Sequence, residues 1–147
     1  RMSRVALHFP RRAKAVLYGN IVLSFITGTC WFVLHRWFPI QGEFGPEKNP
    51  LEPWLIKVHG ASAFIALVGF GYLLASHVHV AWRSRRSRLS GQAMLGNVIL
   101  LILTGYLLYY AGGEGFREGV SWMHLATGLS LPVTLCAHII HGHSRKA

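Results

Sequence analysis

Four apolar runs constrain this chain more than any other feature. They cover residues 15–38, 54–82, 91–110 and 120–141, and each is close to or beyond the length that crosses a bilayer as a helix, roughly 20 residues. Every backbone polar group needs a partner inside lipid, so only helices and closed barrels span it. The runs are unbroken and lack the alternation of barrel strands. They predict an all-α, four-helix transmembrane bundle within a single domain, residues 1–147. Position 1 is Arg, so the chain is expected to begin inside a longer product or after processing. Its first run lacks a small-residue cleavage signature and reads as a helix. No internal repeat stands out at this level.

Charge orients the helices. The chain has 15 Lys and Arg against 5 Asp and Glu. Eleven of the 15 lie in three places: Arg1, Arg4, Arg11, Arg12 and Lys14; Arg83, Arg85, Arg86 and Arg88; Arg145 and Lys146. The acids Glu43, Glu47, Glu52, Glu114 and Glu118 fall in the other two connections, which leaves the helices expected to be free of acids. The positive-inside rule puts both termini and the 83–88 loop in the cytoplasm. The 39–53 and 111–119 loops then face outward, toward the periplasm of a bacterial inner membrane. Trp37, Trp54, Trp122, Tyr109 and Tyr110 mark the outer interface; Tyr18 and Trp82 mark the inner one. The basic clusters suit lipid headgroups, and runs this apolar exclude a nucleic-acid-binding reading. Cys30 and Cys136 sit at depths too different for a disulfide. No C-x-x-C-H motif is present, so covalent c-type haem is not indicated.

Histidine carries the chemistry. There are nine, and His8 and His143 fall in the tails. His59 and His77 are 18 residues apart, which in an unbroken α-helix is five whole turns, or about 27 Å along one face. His124 and His138 are 14 residues apart, about 21 Å and within about 40° of one face. In an up-down bundle both helices run inward. His59 and His124 then share the outer level, and His77 and His138 the inner level. Two facing pairs can form two bis-imidazole sites, the axial ligation that haem iron takes between helices. Intramembrane ionisable residues are functional by default. No Cys or carboxylate accompanies the pairs, which favours iron over zinc. Small residues beside the outer histidines, Ala63, Ala66 and Gly128, leave room for a macrocycle, and equally for close helix packing.

For the inner site, His79 lies about 160° off the His59 face and would need an irregular helix. His141 matches the axial rise, at about 26 Å from His124, but is turned about 100°. Pro132 is expected to kink its helix and shift that phase. His35 suits an interfacial role, a propionate partner or part of a quinone pocket.

Four helices with two such pairs resemble the integral-membrane dihaem b-type cytochromes, among them the membrane subunits of formate dehydrogenases and nickel–iron hydrogenases. The resemblance rests on His59, His77, His124 and His138, with the W-x-H of Trp122 to His124 as its most family-like local feature. It implies two non-covalent b haems, electron transfer across the membrane and quinone exchange at one surface. It also implies an outer redox partner, such as a c-type cytochrome or a dehydrogenase subunit. The chain would then be a non-catalytic electron-transfer subunit of a larger oxidoreductase. Its ligand distribution departs from the dehydrogenase subunits, where the first helix supplies a ligand. Having two ligands on each of two helices is closer to the cytochrome b of respiratory bc complexes. Lys57 and Arg36 outside, and Arg83 and Arg12 inside, are candidate propionate partners or interfacial anchors. Asn20, His79, Gln92, Asn97 and His141 are inner quinone candidates; His35 and Trp54 are outer ones. Two other classes remain open: a histidine-based metal-ion transporter or sensor using HIIHGH, and a structural membrane anchor.

Overall fold

The protein is described here by a computed structural model covering residues 10–79 and 88–144. Arg1, Arg4, His8, Trp82, Arg83, Arg85, Arg86, Arg145 and Lys146 lie outside the described residues, as do the side chains of Arg88 and His143.

Helix α1 spans Arg11–Trp37, strands β1 and β2 span Ile40–Gly42 and Gly45–Glu47, and α2 spans Glu52–Leu73. A π-helical turn over Leu74–Val78 continues α2. Helix α3 spans Arg88–Tyr110, and α4 spans Glu114–Ser144. Four of these segments are long and apolar enough to cross a membrane: Arg11–Trp37, Glu52–Val78, Leu89–Tyr110 and Glu114–Gly142. The fold is all-α, with one small β-hairpin, and has the character of a multi-pass membrane protein.

The helices outrun their apolar cores. Backbone hydrogen bonding does not stop where lipid ends, so α1 begins four residues before the predicted run and α4 six residues before it. This corrects the expectation that the helices contain no acids. Glu52 opens α2, and Glu114 and Glu118 lie in the first turns of α4, where carboxylates complement the helix dipole. The connection after α3 shrinks to residues 111–113, and Gly113 turns the chain with φ 88°, a conformation that disfavours residues with a Cβ. The longer connection, between α1 and α2, carries the hairpin, with Ile40 opposite Glu47 and Gly42 opposite Gly45. Glu43 and Phe44 form its tip, and Gly45 takes φ 122° beside it.

The chain divides into two compact units, Arg1–Leu73 and Leu74–Ala147. In the first, α1 packs along α2; in the second, α3 packs along α4. Burial is inverted relative to a water-soluble protein. Among the described residues the buried polar set is Asn20, Thr27, Glu52, Ser62, Asn97 and Thr104, against a single buried hydrophobic residue, Val120. Phe64, Val68, Val133 and Ile140 are all more than 60% exposed. In water each such side chain would forgo about 1.5–3 kcal/mol of burial. In lipid that penalty vanishes, and polar contacts between helices do the joining.

Candidate functional site

His59 is held by α1 through its Nδ1 atom. Nδ1 lies 3.0 Å from the Ser24 carbonyl oxygen and 3.3 Å from Thr27 Oγ1. A carbonyl can only accept, so Nδ1 carries a proton and donates. The Thr27 hydroxyl gives its own hydrogen to the Leu23 carbonyl at 2.7 Å, so it also receives from His59. In the neutral ring this network assigns the lone pair to Nε2. Gly28 makes the approach possible, because a Cβ there would stand 2.9 Å from His59 Cε1. Beside it Ser62 Oγ meets Ser24 Oγ at 2.6 Å, and Asn20 Nδ2 donates to the Ser62 carbonyl at 3.0 Å.

The second unit treats His124 the same way. Its Nδ1 is 2.8 Å from Thr104 Oγ1, and Thr104 commits its hydrogen to the Leu100 carbonyl at 2.6 Å. His124 is therefore the donor, and its lone pair is on Nε2. A Cβ on Gly105 would lie 3.5 Å from His124 Cε1, an ordinary contact.

His77 and His138 meet within the second unit. Their ring centres are 6.2 Å apart and the ring planes are perpendicular. Ser90 Oγ lies 3.2 Å from His138 Nδ1, and Gly91 sits under His138 Cε1. His141 instead turns its Nδ1 to the Ala137 carbonyl of its own helix at 2.9 Å. His77 lies inside the π-turn, which carries about one extra residue and shifts the helical phase by about 100°. The premise that His59 and His77 share a face across five α-turns is thereby corrected. The helix is irregular at His77 itself, two residues before His79.

Where α1 ends and α2 begins, His35 Nδ1 pairs with Glu52 Oε2 at 2.8 Å, and the His35 ring stacks on Trp31 at 4.8 Å. Glu52 is 5% exposed at its side chain and also accepts from the Asn49 N–H at 3.0 Å. This partner was not anticipated, because Glu52 falls in a loop when apolar runs alone set the boundaries. Lys57 lies over the Trp54 ring at 4.8 Å, a cation–π contact suited to an interfacial anchor. Both cysteines are free.

Among the quinone candidates, Asn97 lines an open cleft of about 460 Å³ with Ala93, Gly96, Thr127, Ser130 and Thr134. Its Nδ2 donates to Ser130 Oγ and Thr134 Oγ1, both at 3.0 Å. Those hydroxyls give their hydrogens to the Thr127 and Leu131 carbonyls, which fixes the amide orientation. Asn97 Oδ1 is buried and has no hydrogen-bond partner. Among the described residues no three His, Cys, Asp or Glu side chains converge as a metal site. No protein-family model, no curated protein and no solved structure matches this chain.

Proposed function

We propose that the protein is a membrane electron-transfer subunit that holds two b haems through histidine pairs, His59 with His124 at the outer level and His77 with His138 at the inner level. The observation that carries this reading is the His77–His138 pair. A metal bonded to two imidazole nitrogens at about 2.0–2.1 Å, with each nitrogen about 1.1 Å from its ring centre, separates the ring centres by about 6.3 Å. The observed separation is 6.2 Å, with perpendicular planes. An edge-to-face contact of unligated rings falls in the same range, so the tautomers of the outer histidines matter as a second support. His59 and His124 each donate from Nδ1, as metal-bound histidines do, which puts the lone pair of the neutral ring on Nε2. The two histidine pairs would hold the haems, and the bound group would supply one-electron transfer.

The chain's own residues supply the rest. Asn97 Oδ1 is an acceptor for a hydroxyl donor such as a quinol. Lys57 and the carboxylates of the outer connections face the side on which an outer redox protein, such as a c-type cytochrome or a dehydrogenase subunit, would dock. A bacterial inner membrane fits the charge asymmetry. The transporter or sensor alternative would need several ligands to converge, whereas two imidazoles suffice where the porphyrin supplies the other four donors.

A pyridine haemochrome spectrum of the purified full chain, with the haem-to-protein ratio, tests the proposal. Two b haems per chain are expected, falling to one in His138→Ala and to one in His124→Ala. A folded preparation without haem overturns it.

A further inference from the structure

A repeat hidden in the apolar runs becomes visible once the histidine contacts are known. Residues 19–28 read GNIVLSFITG and residues 96–105 read GNVILLILTG. Five of the ten positions are identical: the two glycines, Asn, Leu and Thr. The identical polar positions have the same tasks. Asn20 and Asn97 are both buried and both reach the second helix of their own unit, Asn20 at Ser62 and Asn97 at Ser130 and Thr134. Thr27 and Thr104 both give their hydrogen to the carbonyl four residues back and both meet the Nδ1 of a histidine. Gly28 and Gly105 both lie against that histidine's Cε1. A third hydroxyl–glycine pair, Ser90–Gly91, meets His138 in the same manner. Chance likeness between two apolar helices gives no reason for each Thr–Gly pair to face a histidine through the same ring nitrogen. The expectation of no internal repeat is corrected accordingly.

We propose that α1–α2 and α3–α4 are two copies of one duplicated helical hairpin, and that Thr27 and Thr104 are its paired positioning residues. Each holds the histidine of its own hairpin with the proton on Nδ1 and the lone pair on Nε2. The placement follows from hydrogen-bond logic: a threonine whose hydrogen is already spent on its own helix can only accept from the ring. An acceptor at Nδ1 selects one tautomer, locks the ring orientation and raises the basicity of Nε2. The consequence for haem rests on the function proposed above; the tautomer assignment does not. The two copies differ in strength. The Thr104 contact is 2.8 Å, whereas that of Thr27 is 3.3 Å and is backed by the Ser24 carbonyl at 3.0 Å.

The experiment compares the full-length wild type, Thr104→Val, Thr104→Ser and Thr27→Val in lipid nanodiscs. Histidine ¹⁵N chemical shifts of haem-depleted protein, assigned with His59→Asn and His124→Asn, read the tautomers. Haem titration and redox potentiometry then read the loaded protein. In the wild type, Nδ1 of both histidines is expected to be protonated and Nε2 bare. Thr104→Val should mix the His124 tautomers, weaken haem binding by about 10–100-fold and raise the midpoint potential, since a less basic ligand stabilises ferric iron less. Thr104→Ser should restore all three readings, and Thr27→Val should change them less. A wild-type His124 with bare Nδ1 overturns the proposal, as does a folded Thr104→Val protein with unchanged tautomer and potential. If Thr104→Val does not fold, the wild-type tautomers and Thr104→Ser still decide. A wild type with the expected tautomers that takes up no haem overturns the functional reading and leaves the positioning role standing.

Discussion

Gly28 and Gly105 stand beside equivalent histidines at unequal distances, and the difference is testable. A Cβ on Gly28 would stand 2.9 Å from His59 Cε1, closer than side-chain carbons approach, whereas one on Gly105 would have 3.5 Å. Gly28→Ala must therefore push the His59 ring off the Ser24 carbonyl, an overpacking cost of about 1–3 kcal/mol. Gly105→Ala should leave His124 in place. Haem content and thermal melting of the two variants in the same lipid should show loss of one of the two proposed haems and a lower melting temperature for Gly28→Ala alone. Identical behaviour would mean that the glycine at 28 only serves helix packing. The histidines were legible in the sequence because imidazole within an apolar run has no cheap explanation in lipid. Their partners were not. Ser24, Thr27, Ser90 and Thr104 are residue types that membrane helices use anywhere for packing, and only the contacts single them out.

Helix α2 and its continuation give the clearest case of an element that composition cannot reveal. The four helices follow from apolar length because lipid leaves no alternative for the backbone. The π-turn at Leu74–Val78 has no such cause: its sequence, LASHV, is as acceptable to an α-helix. A π-turn of this kind accommodates about one residue beyond the α count. Deleting Ala75 should therefore convert the turn to α-helix while His77 keeps its orientation. Deleting Ala66, in the regular part of α2, should rotate everything after it by about 100°. The predicted outcome is that the Ala75 deletion retains the haem proposed at His77/His138 and the Ala66 deletion loses it, read by haem-to-protein ratio and by the low-temperature α-band. Equal loss in both would show that the turn is required in its own right and does not merely absorb a residue. The ends of the helices were misjudged for a related reason. Hydropathy marks where lipid begins, while helix ends are set by turn residues such as Gly113, which lies outside any apolar signal.

For the whole molecule, solvent and charge together decide how the chain can sit. Burial in both units is polar, and the exposed surface is apolar, so each helix is stable only where water is absent. That leaves two orientations, related by inversion across the bilayer, and contacts within the protein do not distinguish them. The expectation from charge is one of them: 11 of 15 basic residues fall within residues 1–14, 83–88 and 145–146, and the β-hairpin belongs to the connection between α1 and α2. An anionic cytoplasmic leaflet attracts such clusters by about 1 kcal/mol per basic residue near the surface, so the hairpin is expected to face away from the cytoplasm. The hairpin tip offers a probe, since Phe44 is 93% exposed. With the free Cys30 and Cys136 changed to Ser, Phe44→Cys should react with a membrane-impermeant maleimide in intact spheroplasts. Ser84→Cys, in the basic connection, should react only after the membrane is permeabilised. The reverse pattern would invert the protein, exchange the outer and inner histidine levels, and move the docking side of any redox partner to the cytoplasm.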